Sequence, residues 1–199
     1  MKLNLIASAL MCGVVGSSAS AAVIRYTNLS LWGADVQAAG SSVATENFNS
    51  YSGYYANPLT GNAGGINWSA TANGGLFVQS GNFKAFNANT DVTFTFAPGV
   101  QAVGGNIFGT DSGFNAINSK IKVTLADGSS QVGNAGNAAS FVGFISDGAA
   151  ISSIVVSATK TGADVWVTAD NLYFGVTAVP APGVAALLGV AALVSRRRR

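Results

Sequence analysis

Asp91-Val92-Thr93-Phe94-Thr95-Phe96 decides the fold class. Valine and phenylalanine alternate with threonine, so the apolar side chains share one face and the threonines the other. That is the pattern of a half-buried β-strand. Toward the C-terminus the same period recurs in Lys120-Ile121-Lys122-Val123-Thr124-Leu125, with two lysines and a threonine on the wet face. Asp127-Gly128 follows, a dipeptide suited to a two-residue hairpin turn, and leads into Ser129-Ser130-Gln131-Val132. Phe141-Val142-Gly143-Phe144-Ile145 is nearly continuous in apolar residues, as a central strand would be. Ile151 to Ser157, Asp164 to Thr168 and Asn171 to Val176 complete the series.

Short strands punctuated by Gly, Asn, Asp and Ser, with no helical period across 22–177, predict one all-β domain. An antiparallel sandwich or barrel is expected rather than βαβ units. Phe48, Phe77, Phe94, Phe96, Phe108, Phe141, Phe144 and Phe174 form the expected aromatic core, each burying about 150–250 Å². No internal repeat argues for a propeller or solenoid. The stretch from Asn49 to Gly75 fits least well, with six glycines and five asparagines around Tyr51, Tyr54, Tyr55 and Trp68. A loop that long inside a compact domain is either functional or conceals strands, and Ile66-Asn67-Trp68-Ser69 is a candidate strand within it.

Charged residues make up 9% of the chain, against about 25% in an ordinary soluble domain. The formal net charge of +2 misrepresents the body, because Lys2 and four arginines lie near the ends. Between them five basic residues face eight acids, a net charge of −3. Nucleic acid is therefore not an expected partner, since phosphate neutralisation needs a clustered basic face. There is no histidine, and the one cysteine, Cys12, lies in the N-terminal apolar segment. That excludes a body disulfide, a thiolate metal site, imidazole-bound zinc and Ser-His-Asp or Cys-His catalysis.

Residues 1–21 read as a secretory signal peptide. Lys2 precedes an apolar stretch from Leu3 to Val15, and Ala19-x-Ala21 places cleavage before Ala22. The Sec translocon and signal peptidase are the implied partners. At the other end, Val179-Pro180-Ala181-Pro182-Gly183 precedes an apolar run from Val184 to Val194, then Ser195 and Arg196, Arg197, Arg198 and Arg199. The prolines separate this run from what precedes it. As a helix, Gly183 to Val194 spans roughly 18 Å, short of a hydrocarbon core of about 30 Å. The arginines would stop transfer on the cytoplasmic side.

Proline motif, short apolar helix and terminal arginine cluster together make 178–199 resemble the PEP-CTERM sorting signal of Gram-negative bacteria. This chain carries Pro180-Ala181-Pro182-Gly183 where that family has Pro-Glu-Pro. The resemblance implies recognition by an exosortase-type transpeptidase, transient inner-membrane anchoring, and delivery to the cell surface, outer envelope or extracellular matrix. The body in turn resembles jelly-roll sandwiches of exported surface proteins and carbohydrate-binding modules. Glu46-Asn47-Phe48, Trp68, Gly104-Gly105-Asn106-Ile107-Phe108 and Asp170-Asn171-Leu172-Tyr173-Phe174 carry that likeness. It implies that Glu46 and Asp170 share a structural Ca²⁺ with backbone carbonyls, a hard cation suited to oxygen donors.

Tyr51, Tyr54, Tyr55 and Trp68 are the candidate glycan-binding residues, because apolar sugar faces pack on aromatic rings while asparagines bond the hydroxyls. Trp166, between Val165 and Val167, reads as a packing residue. A glycosidase would need two carboxylates about 5–9.5 Å apart across a cleft. The acids instead sit in turn sequences such as Asp111-Ser112-Gly113, Asp127-Gly128 and Asp147-Gly148. Gly104-Gly105-Asn106-Ile107-Phe108-Gly109 precedes no amphipathic helix, so it fails as a nucleotide loop. The expectation is an exported, non-catalytic β-sandwich associated with exopolysaccharide or biofilm. The alternatives are a structural surface protein without a discrete ligand site and a polysaccharide-active enzyme.

Overall fold

The computed structural model describes residues 22–159 and 163–177. The expected signal helix and C-terminal apolar helix lie outside the described residues, as do Ala19, Ala21 and the tail from Pro180 to Arg199. Two antiparallel sheets face one another in a sandwich-like arrangement. In the first, β1 (Val23–Tyr26), β13 (Phe141–Ser146), β9 (Val100–Thr110), β15 (Trp166–Thr177), β7 (Asn82–Ala85), β6 (Leu76–Gln79) and β3 (Gly53–Tyr55) lie side by side. Two further strands join it, β2 (Ser41–Glu46) on β15 and β10 (Ala116–Ile117) on β9. The second sheet runs β12 (Ser130–Ala135), β11 (Ser119–Leu125), β14 (Ser153–Thr159), β8 (Val92–Phe96), β5 (Ile66–Ala72) and β4 (Leu59–Ala63).

The alternating pattern works as read. Val92, Phe94 and Phe96 of β8 are buried, and so are Ile121, Val123 and Leu125 of β11. They meet Val103 and Ile107 of β9 and Leu172 and Phe174 of β15 in one core. Phe48, Phe108 and Phe144 join them, together with Phe83, which the phenylalanine pattern had not singled out. Phe77 and Phe141 are only half-buried, because each lies on the other face of its sheet.

Of the two readings of 49–75, concealed strands hold: β3, β4 and β5 run through it, β5 takes in the candidate strand Ile66-Asn67-Trp68-Ser69, and glycine and asparagine supply the turns. Two other readings need correction. Asp164–Thr168 and Asn171–Val176 are not two strands. They are one, β15, continuous through a register shift between Ala169 and Asn171 at which Asp170 is the extra residue.

The second correction is a helix, α1 (Leu29–Ala38), where no helical period was read. Asn28 caps it, its Oδ1 accepting from the Leu31 N–H at 3.0 Å. Only Trp32 and Val36 of this helix are buried, one turn apart, against the outer face of the first sheet. Glycines make room for them. A Cβ at Gly143 would lie 2.7 Å from Trp32, and one at Gly175 2.9 Å from Val36. The indole Nε1 of Trp32 donates to the Phe144 carbonyl at 3.3 Å.

Candidate functional site

The structure splits the four aromatic residues expected to form one platform. Trp68 is 2% exposed and sits edge-on to Phe48, ring centroids 5.7 Å apart. Its Nε1 donates to Glu46 Oε2 at 3.2 Å, while Glu46 Oε1 accepts from the Phe48 N–H at 2.8 Å. Gly61, directly opposite Trp68 on β4, has no room for a Cβ beside the indole. Tyr51 packs on the same group at 5.9 Å from Trp68, and burial raises the pKa of its hydroxyl. The hydroxyl of Tyr55 accepts from the Ser52 N–H at 3.1 Å, and its ring stands 6.0 Å from Tyr51. Trp68, Tyr51 and Tyr55 therefore serve the interior corner of the sandwich.

Tyr54 points the other way, as alternation along β3 requires. It is 54% exposed and its ring meets Phe86, itself 49% exposed, edge-to-face at 5.0 Å. Its hydroxyl donates to the Gly74 carbonyl at 3.2 Å across a turn, and a Cβ at Gly75 would collide with it.

Cross-strand register continues this outer face. Tyr54 pairs with Phe77, Phe77 with Lys84, and Lys84 with Thr168. Trp166 lies two residues from Thr168, and its Nε1 donates to the Phe86 carbonyl at 3.2 Å. It does help pack, as read from the sequence, but on this outer face.

Lys84 is the charge beneath these rings. It is buried, its Nζ lies 3.9 Å from the centroid of Phe114 and 5.4 Å from that of Trp166, and it donates to the Ser112 carbonyl at 2.6 Å. Burial lowers its pKa, and Asp111 works against that shift. Asp111 accepts from the side chain and backbone of Asn115 and from the Gly113 N–H, bonds that hold its own pKa below the usual value. This turn presents Phe114 at a positive φ of 66°, a conformation that costs a bulky residue energy. The result is an outer face of five aromatic rings, Tyr54, Phe77, Phe86, Phe114 and Trp166, with the Lys84 ammonium against Phe114 and Trp166. Phe86 and Phe114 could not be assigned to it from the sequence, because Phe86 stands just past the end of β7 and Phe114 follows the Asp111-Ser112-Gly113 turn.

Glu46 and Asp170, the expected calcium pair, do come close in register. Glu46 pairs with Leu172 across β2 and β15, two residues from Asp170. Both oxygens of Glu46 are engaged by Phe48 and Trp68. Asp170 is half-buried and accepts from the Asn171 side chain at 2.8 Å, and burial raises its pKa. Among the described residues no three His, Cys, Asp or Glu side chains gather as a metal centre. The acids read as turn residues are in turns: Asp127 accepts from the backbone and hydroxyl of Ser129, and Asp147 from the Ala22 N–H. No family model, curated protein or solved structure matches the chain.

Proposed function

We propose that this is an exported, non-catalytic surface or matrix protein that binds glycan through the outer aromatic face. The exposed Tyr54–Phe86 pair carries the reading. Two large rings in water, backed by Trp166 and flanked by asparagines, offer flat apolar surface with hydrogen-bonding groups at its margin. The network of acids with turn backbone supports the non-catalytic part. The finer jelly-roll reading draws support from chain order: β8 and β9, β12 and β13, and β14 and β15 are successive strands in opposite sheets.

Export by Sec, an exosortase acting on the PEP-CTERM-like tail, and residence in the envelope or exopolysaccharide matrix belong to the same proposal. In support, the first strand opens at Val23, directly after the expected cleavage point. Cleavage there would turn the Ala22 nitrogen, 2.6 Å from Asp147, into an ammonium facing that carboxylate.

Affinity electrophoresis on acidic and neutral bacterial polysaccharides tests the binding. Retardation lost in a Tyr54→Ala, Phe86→Ala double variant is expected, and no retardation on any of them, or equal retardation of the variant, overturns it. Mass spectrometry of the native product tests the processing: a chain from Ala22 to near Pro182 is expected, and one still carrying Arg199 counts against it.

A further inference from the structure

We infer that the cavity between the two sheets at the β12 edge is a second binding site, shaped for a single acidic sugar ring. The inference rests on β12 and stands apart from the aromatic face. The Asp127-Gly128 turn fixes the register of this hairpin, with Gly128 N–H donating to the Leu125 carbonyl and Leu125 N–H to that of Ser129. In that register Gln131 pairs with Val123, whose side chain faces the core, so Gln131 faces the core too. Its neighbour Val132 faces water and is 52% exposed. Polarity on this strand is therefore inverted, with the amide inside and the isopropyl group outside. A slip of one residue would restore the ordinary pattern, and the turn prevents it.

The inversion has a cost. Gln131 is 6% exposed, and its Oε1 is buried without a hydrogen-bond partner. That amide lines a cavity of about 320 Å³, at the lower end of the range for small-molecule sites, roughly 300–1,000 Å³. Ile107 and Val142 wall it on one sheet, Ile121 and Val123 on the other. Gly133, facing inward opposite Ile121, leaves further space, since a Cβ there would meet nothing within 4 Å.

These features select the ligand. A hydroxyl both donates and accepts, so it satisfies a carboxamide whichever way the oxygen and nitrogen point. The hydroxyls of Thr27 and Ser140 add further polar groups, while the apolar walls suit the flat face of a ring. Among the described residues lining the cavity Arg25 is the one charge. It lies on edge strand β1 opposite Phe144, whose side chain is in the core, and so stands at the sandwich margin. A guanidinium with planar donors suits a carboxylate, which makes a uronic acid a better fit than a neutral sugar.

Titration of the ¹⁵N-labelled protein with D-glucuronate, and with D-glucose as the neutral control, tests this. Saturable shifts at the Gln131 side-chain amide and the Gly133 N–H are expected, with glucuronate binding more tightly. Gly133→Val fills space that nothing else occupies, and Gln131→Leu removes the amide while suiting an apolar environment. Each should keep the folded spectrum and weaken binding at least about tenfold. Arg25→Ala should weaken glucuronate and leave glucose unchanged. Tyr54→Ala should leave both unchanged, which separates this site from the aromatic face. Absence of saturable shifts, or undiminished binding in Gly133→Val, overturns the site. Equal affinity for the two sugars with a silent Arg25→Ala overturns the acidic-sugar assignment.

Discussion

Glu46 and Trp68 hold one another in the corner where β2 passes toward β3. Truncating the indole removes its packing on Phe48 and Tyr51 and leaves a buried carboxylate oxygen without its donor. Trp68→Ala should lower unfolding free energy by about 3–5 kcal/mol, measured by urea denaturation. Glu46→Ala should cost about 1–3 kcal/mol by leaving the Trp68 and Phe48 N–H groups unpaired. A double-mutant cycle should show the two effects to be coupled, whereas solvated, independent side chains would give additive losses. Asp170 makes a prediction of opposite character. Burial raises its folded pKa above the unfolded value, so the folded state binds more protons between the two, and this group's contribution to stability falls as pH rises through that interval. In EDTA, Asp170→Asn should therefore raise the melting temperature at neutral pH and have little effect below the unfolded carboxylate range. If Ca²⁺ binds Asp170, adding Ca²⁺ should raise the melting temperature of the parent protein and reverse the sign of the substitution. An unchanged parent melting curve removes the calcium site.

Helix α1 shows how little burial suffices when the receiving surface is prepared for it. Trp32 and Val36 rest above Gly143 and Gly175, and the flanking aromatics Phe141 and Tyr173 stand 5.8 and 6.2 Å from the indole. Gly143→Val should push the helix off the sheet, lowering stability by about 1–3 kcal/mol and shifting tryptophan emission to the red. Unchanged emission would mean that the sheet yields instead. Asn28→Ala should cost about 1 kcal/mol through the lost cap. The helix was hard to read because Leu29-Ser30-Leu31-Trp32-Gly33-Ala34 carries apolar residues on more than one face and an interior glycine. Strand β8 was easy because its burial alternates without exception at the apolar positions. The Asp111 turn lies between these cases. Its acid role was legible from Asp-Ser-Gly, but the placing of Phe114 over Lys84 depends on a strand, β7, nearly thirty residues away in sequence.

At the scale of the whole molecule the last described strand is the hub of the first sheet. β15 pairs with β9 along most of its length and with β2 and β7 on its other side. These pairings join residues far apart in the chain, so the sheet cannot be completed until the C-terminal part of the body is present. Truncation after residue 163 should abolish cooperative thermal unfolding and dispersed amide resonances, while truncation after 177 should preserve both. A folded product of the shorter chain would show that β9 and β13 suffice. The all-β class and most core-facing positions of β8 and β11 were legible in the chain, because they depend on local period. A turn at Asp127-Gly128 was legible too, but the loop has three residues, Ala126 to Gly128, rather than two, since Leu125 pairs with Ser129. Which aromatic residues meet water was settled by long-range pairing, since facing on short strands depends on register with partners distant in sequence. It divided Tyr54 from Tyr51, Tyr55 and Trp68, set Phe86 against Tyr54, drew Phe114 and Trp166 around Lys84, and turned Gln131 inward beside Val123. Each of those outcomes depends on strands paired across long stretches of sequence, and no local pattern encodes it.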